Sequence, residues 1–586
     1  TNPGAVQATG IDQDAVTSIT NNSTIKATTG AITQDSSGAI HNVGTVDAGT
    51  TIGMTSTSAG IQNDANVTAA SGITMNAGAA IDNNNGGNVT VSSSTGDITL
   101  TAGTNITNDI VTATTGSISM DTATKGNGSI ENTGAVSAGT NITQNAKTTL
   151  LNTGAVQATG IDQDAVTSIT NSSTVKATTG AITQDSAGNI NNVGAVEAGT
   201  SIAMNSTGGA ITIGTDQTAA NVTATKGVTI GTTNGAITIH GGVASNSTAD
   251  ADNVSIKTAT TGNITVDGGV SSAKGSVEVG TTTGTITLGK DGSDAITVKG
   301  ATTAGITSTN SGITVYGNVE SGTGTTVSTN NSASDANIKV TGSVKSTGDN
   351  GNTSISTNHG TIEVDGAVSS TKGSVSVTDT TGAITIGKTD ATADVTAGTT
   401  AEISSSNSGI TVYGNVASST GTTVQTSNSE TDADIKVTGS VKSNTSGDVT
   451  VQTTKGDITL GNANLTTAAV DSKGNAYVRA TTSGNVDVLG GGISAAKAAE
   501  LSTAKGSASG GNAVVSAVGT GVTDSASDYS NSGNVTVTGT VSGTGAATLS
   551  ATQGNVNLKG GLSAGTGKAT ITATSSAAND TKNGNI

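Results

Sequence analysis

Cysteine, tryptophan and phenylalanine are absent from these 586 residues, and proline occurs once. The lack of cysteine excludes disulfide stapling, thiolate metal sites and cysteine nucleophiles. It also fits a protein that crosses membranes unfolded, where disulfides obstruct passage. Four tyrosines (316, 413, 477 and 529) are the only aromatic residues. A catalytic cleft walled by rings that stack on sugar is therefore hard to build. Basic residues number 23 against 41 acidic ones, a net charge of −18, and Arg479 is the one arginine. Nucleic-acid binding needs a basic face, and none is supplied. No apolar run approaches the roughly 18 residues of a membrane span. No signal peptide is visible.

Repetition is what the chain has in abundance. Residues 2–54 return almost unchanged at 152–204, a shift of 150. Further on, SGITVYGNV occupies 311–319 and again 408–416, 97 residues later. Shorter units lie inside these copies. Thr95-Gly96-Asp97-Ile98-Thr99-Leu100, Thr115-Gly116-Ser117-Ile118-Ser119-Met120 and Lys455-Gly456-Asp457-Ile458-Thr459-Leu460 share one pattern. Gly96 and Gly116 are 20 residues apart, Gly116 and Gly134 are 18, and Gly533 and Gly554 are 21. Apolar residues within a unit alternate with Thr, Ser, Asp or Asn, the period of a strand. Gly and Asn between the runs supply turns. Residue 1 falls inside a repeat whose sister copy continues upstream, so the chain is expected to be part of a larger protein.

A strand–turn unit of this size cannot bury its apolar face alone, whereas stacked units can. The expected fold is all-β, a right-handed parallel β-helix (β-solenoid) with about 20 residues per coil. At roughly 4.8 Å per coil, some 29 coils would rise about 140 Å. Only 32% of residues are hydrophobic, which suits a narrow interior of Val, Ile, Leu and Ala. Thr and Asn in the turns are expected to form hydrogen-bonded ladders between coils. Ile493 to Lys505 is the best helical stretch, but it is short and interrupted by Ser and Thr. Three regions are expected in one continuous solenoid. Residues 1–235 carry the 150-residue duplication, 236–460 carry the 97/98-residue duplication with protruding loops, and 461–586 carry degenerate repeats.

The segments Gly533 to Gly543 (GNVTVTGTVSG), Ala546 to Ala551 (AATLSA) and Gly554 to Gly565 (GNVNLKGGLSAG) carry a resemblance. They are similar to the repeats of filamentous haemagglutinin-like adhesins, bacterial exoproteins of the two-partner secretion type. Gly134-Ala135-Val136-Ser137-Ala138-Gly139 has the same look. The resemblance implies a right-handed β-helix, an extracellular location, and an adhesion or matrix role. The amino-terminal secretion domain of that family is not visible in this sequence.

Candidate chemistry is sparse. His41, His240 and His359 are the only histidines, too far apart in sequence for one cluster, and are expected in solvated turns. Asp12/Asp14 and Asp162/Asp164 are paired carboxylates, but they come in duplicate, and a catalytic site is rarely copied along a repeat array. No enzyme is expected. Ser245 to Asn253, Asn330 to Asn337 and Ser427 to Asp434 read as similar loops protruding at a similar place. Within them Asp250/Asp252 and Asp432/Asp434 are weak oxygen-ligand candidates for Ca²⁺. The middle copy offers Asp335 and Asn337, and solvated loops are the favoured reading. Tyr316 and Tyr413 occupy equivalent outward positions and are weak binding candidates, with packing over a neighbouring coil favoured.

Two function classes follow. One is a structural and adhesive rod of a large secreted bacterial cell-surface exoprotein, attaching to host or bacterial cells or to matrix polysaccharide. The other is a self-assembling envelope component such as an S-layer, sheath or extracellular filament, whose partners are copies of itself.

Overall fold

A computed structural model describes residues 1–496 except 125, 250, 251, 332–335, 463, 485, 490 and 491. Beyond them it describes residue 568 and the strands between 498 and 574. The chain is all-β, and its coils form two compact units, Thr1–Thr282 and Thr283–Ile586. Each coil up to the strand Val556–Leu558 contributes one strand to each of three parallel sheets, and Leu562–Ala564 and Ala569–Thr574 extend the first and second sheets beyond it. In the first coil the three strands are Val6–Ala8, Ile11–Ala15 and Ser18–Asn21, which begin the first, second and third sheets. Each strand pairs in parallel with its equivalent one coil later, as Val6 with Ile25, Ile11 with Ile32 and Ile19 with Ile40. The expected parallel β-solenoid is what forms.

The alternation in sequence becomes alternation of environment. In Ile32–Ser36, Ile32, Gln34 and Ser36 point inward, while Thr33 and Asp35 point out. In the first unit, Ile40, Ile61, Ile81, Ile106 and Ile130 stack in one interior column, each no more than 1% exposed. β-Branched side chains hold few rotamers, so identical residues stack without rearrangement. Burying each contributes roughly 1.5–3 kcal/mol. In the second unit Val319, Val344, Val368, Val395, Val416 and Val441 form such a column in the first sheet. Close stacking of the corners explains the glycine that precedes many strands. A Cβ on Gly116 would lie 2.2 Å from the carbonyl oxygen of Gly96 beneath it.

Coils are longer and less regular than expected. Val6 pairs with Ile25, 19 residues on, whereas Val441 pairs with Val470, 29 residues on. The difference is taken up by corner loops, so fewer coils are present than a 20-residue period implies. No helix occurs among the described residues. Ile493 to Lys505 begins inside the strand Gly492–Ala495 and runs through the strand Ala498–Thr503.

The three Asp-bearing loops do not leave at one place, contrary to expectation. Ser245 to Asn253 connects Val243–Ser245 of the first sheet to Val254–Thr258 of the second. Asn330 to Asn337 and Ser427 to Asp434 instead connect second-sheet strands to third-sheet strands, Gly324–Thr329 to Ile338–Val340 and Gly421–Thr426 to Ile435–Val437. Composition matches across the three; the corner does not.

Candidate functional site

The most extensive polar arrangement is inside the first unit. Third-sheet strands up to Asn189–Asn192 mostly end in Asn, as in Ser18–Asn21, Ile61–Asn63 and Thr149–Asn152, and that residue points inward. Nine such residues, Asn21, Asn42, Asn63, Asn83, Asn108, Asn132, Asn152, Asn171 and Asn192, are each at most 1% exposed. Each Nδ2 from Asn21 to Asn171 donates to the Oδ1 one coil later, at 2.6–2.9 Å, and the column ends at Asn192, whose Nδ2 turns to Gln184 Oε1 at 2.8 Å. The donor direction is the same at every step.

A second column faces it from the second sheet. Gln34 Nε2 donates to Gln13 Oε1 at 2.8 Å, Gln163 to Gln144 at 2.8 Å and Gln184 to Gln163 at 2.7 Å. These bonds run one coil earlier, so the two amide columns have opposed dipoles. Within a coil the columns join by reciprocal amide pairs, such as Gln163 Nε2 to Asn171 Oδ1 at 3.1 Å and Asn171 Nδ2 to Gln163 Oε1 at 3.0 Å. Asn171 thus uses both its N–H bonds and receives two donors, which removes the cost of burying an amide. The chain has four methionines. All four take glutamine-equivalent positions: Met54, Met75, Met120 and Met204 are buried, and Asn42, Asn63, Asn108 and Asn192 place Nδ2 3.6–3.8 Å from their sulfurs.

Ladders were expected in the turns, and corner residues do form some. Asn318 Oδ1 accepts from Ser343 N at 2.8 Å and Asn337 Oδ1 from Thr361 N at 2.7 Å. The longer ladder lies in the interior instead, because strand alternation carries the terminal Asn inward. The signal was present as repeated Ile-x-Asn, whose two outer residues share a face.

Outside, the duplication repeats a surface. Asp14, Val16 and Asp35 line a shallow groove with Ser37, Thr55 and Thr57. Asp164, Val166 and Asp185 line its counterpart with Ala187, Asn205 and Thr207. Val16 is 86% and Val166 51% exposed. In the second copy, burial pushes the Asp162 and Asp164 carboxyls above their usual range. The negative charge of Asp185 adds to both shifts, and that of Asp162 to the shift of Asp164. On the first sheet, charges alternate instead: Lys26 pairs with Asp47 at 2.5 Å, and Lys176 with Glu197 at 2.8 Å.

The histidines lie in separate coils, and each bonds across to another coil rather than only to water. His41 Nε2 is 2.7 Å from Asp64 Oδ2. His240 Nδ1 is 2.8 Å from Asp267 Oδ2, with Asp216 Oδ1 3.6 Å from its Nε2. His359 Nδ1 donates to the Asn331 carbonyl at 3.0 Å.

Tyr316 and Tyr413 are half-buried just after third-sheet strands. Each covers a loop glycine of the preceding coil in the left-handed region, Gly289 (φ 82°) and Gly387 (φ 78°). A Cβ on either glycine would approach the tyrosine Cβ to 3.0 or 3.1 Å. Lys436 Nζ stands 5.8 Å from the Tyr413 ring centre.

Of the calcium candidates, Asp250 lies outside the described residues, as does Asp335. Asp252 Oδ2 accepts from Ser247 Oγ at 2.8 Å. Asp434 Oδ1 accepts the Asp457 N–H at 2.7 Å, and exposed Asp432 lies 3.7 Å from Lys455 Nζ. Among the described residues no three His, Cys, Asp or Glu side chains are grouped to hold a metal ion. No helix among them is long and apolar enough to cross a membrane.

Compared with protein-family models, curated proteins and solved structures, the chain matches none.

Proposed function

We propose that this chain is a structural and adhesive segment of a large secreted bacterial cell-surface protein, attaching to cells or matrix polysaccharide through many weak contacts. The observation that carries this reading is the repeated surface of the first unit, where the Asp14–Val16–Asp35 groove recurs as Asp164–Val166–Asp185. Copies of one weak site raise overall avidity without any single tight contact. A self-supporting stack of coils also suits a part whose work is to hold surfaces apart or together. No catalytic step belongs to this reading.

The test is binding of the purified chain to bacterial cells and to matrix polysaccharide beads, alongside electron microscopy with and without calcium. Retention that weakens when Val16 and Val166 are both changed to Asp supports the reading. Absence of retention, with ordered filaments or sheets on the grid, replaces adhesion by self-assembly.

A further inference from the structure

One interior carboxylate of the second unit stands apart from its column. Second-sheet strands end in an inward hydroxyl at the corner leading to the third sheet. That hydroxyl donates to a corner carbonyl, of its own coil at Thr329 and Thr426 and of the preceding coil at other positions, including those on either side of the exception. Ser308 Oγ donates to Gly284 O at 3.0 Å, Thr357 Oγ1 to Ala336 O at 3.2 Å and Ser405 Oγ to Gly382 O at 3.1 Å. It also accepts a corner N–H, as Ser405 does from Ser408 at 3.2 Å. Between Thr357 and Ser405 the same position holds Asp379, 4% exposed.

Asp379 performs the accepting half of this task. Its Oδ1 takes the N–H of Thr381 at 2.9 Å and of Gly382 at 2.8 Å. Its Oδ2 is buried without a hydrogen-bond partner. The corner carbonyl beneath is Gly360 O. A Cβ on Gly382 would meet Gly360 O at 1.6 Å and Asp379 Oδ2 at 3.1 Å, so both oxygens flank the same point. Two acceptors flank this corner where the coils on either side, at Thr357 and Ser405, place a donor.

We propose that Asp379 holds a proton in the folded chain, donates from Oδ2 to the Gly360 carbonyl, and makes this coil a pH-sensitive seam that tightens in acid. Burial pushes its carboxyl above the usual range, against the Gly382 and Thr381 N–H groups and His359, which pull it down. His359 is the titratable group in the corner of the preceding coil. The strands Asn352–Thr357 and Ile384–Ile386 carry no charge, and Glu402 of the following coil lies on the outer face, paired with Ser376. A carboxyl whose folded value exceeds its unfolded one binds its proton more tightly when folded. Its stabilising effect therefore grows as pH falls through the folded value and is lost as pH rises through it.

The experiment is hydrogen exchange of the full chain over residues 375–386, corrected for intrinsic rates, between about pH 4 and pH 8. Wild type is expected to lose protection by up to about tenfold per pH unit between the unfolded and the folded value of Asp379, and to level off above the folded value. Asp379→Asn, whose Nδ2 donates permanently while Oδ1 still accepts, is expected to stay flat. Asp379→Ser restores the neighbours' hydroxyl and gives the same comparison should the Asn variant fail to fold. A wild type as flat as either variant, or better protected at the alkaline end, overturns the proposal.

Discussion

The coils that end in Asn192 and the coils of the second unit have the same backbone plan and opposite interiors. In the third sheet the inward residue at the end of each strand is Asn from Asn21 to Asn192, then Ile213, Ile239 and Val266. Among the described side chains of the second unit it is Leu288, Val315, Val340, Val364, Ile386, Val412, Val437, Leu460 and Val488. Parallel pairing is continuous through either kind. The backbone ladder and the other interior Ile/Val columns therefore suffice to form a coil, and the position in question decides something else. Apolar contacts tolerate small slips, whereas an amide column satisfies its groups only in one register. A buried polar network that is fully paired specifies alignment, and one that is half paired is worse than an apolar core. The first interior is specified by direction, the second by volume.

The largest effect should come from breaking the amide column once. Asn83→Ala leaves Asn63 Nδ2 and Asn108 Oδ1 without each other's bridge and opens a cavity. A loss of about 3–5 kcal/mol is expected, read as earlier unfolding of the first unit in denaturant with the second unit's transition unmoved. The converse change is smaller per residue. Val340→Asn in the second unit buries an unpaired amide and should cost about 2–4 kcal/mol. Changing Val315, Val340 and Val364 together to Asn should cost clearly less than three single changes, because the middle amide then finds partners on both sides. Strict additivity in that series would mean that the column cannot be transplanted. The smallest effect lies on the surface. Asp162 and Asp164 are held above their usual range by burial and by neighbouring carboxylates. Stability of the first unit should therefore rise as pH falls through their folded values, and Asp185→Asn should flatten that slope. Both groups are partly exposed, so solvent screens the effect. A thermal-melt series against pH checks it.

Much of this was legible in the sequence, and the parts that were not share a cause. Alternation around Ile98 or Ile458 and the glycine spacing identify strands that stack on their own copies, and the parallel sheets follow. Outward Tyr316 and Tyr413 follow from the same alternation. What pattern alone did not give is which corner a loop leaves from. Ser245 to Asn253 and Ser427 to Asp434 look alike, but local composition does not encode which strand of a coil precedes them. The amide ladder was misplaced for a related reason. Asn after Ile reads as the start of a turn, because an unpaired Asn favours turns. Only the neighbouring coil, 19 to 25 residues away, supplies the partner that makes it an interior residue. The orphan oxygen of Asp379 is likewise visible only against Thr357 and Ser405.

The most direct test of the account follows side-chain amide protons in the chain labelled at Asn nitrogen. Hydrogen exchange at Nδ2 of Asn42, Asn63, Asn83, Asn108, Asn132, Asn152 and Asn171 should be slow and should disappear as one set when the first unit unfolds. Exposed Asn22 should exchange at once. Ladder amides that exchange as fast as Asn22 in the folded chain would contradict a closed, fully paired column and, with it, the claim that two interior chemistries sustain one backbone plan.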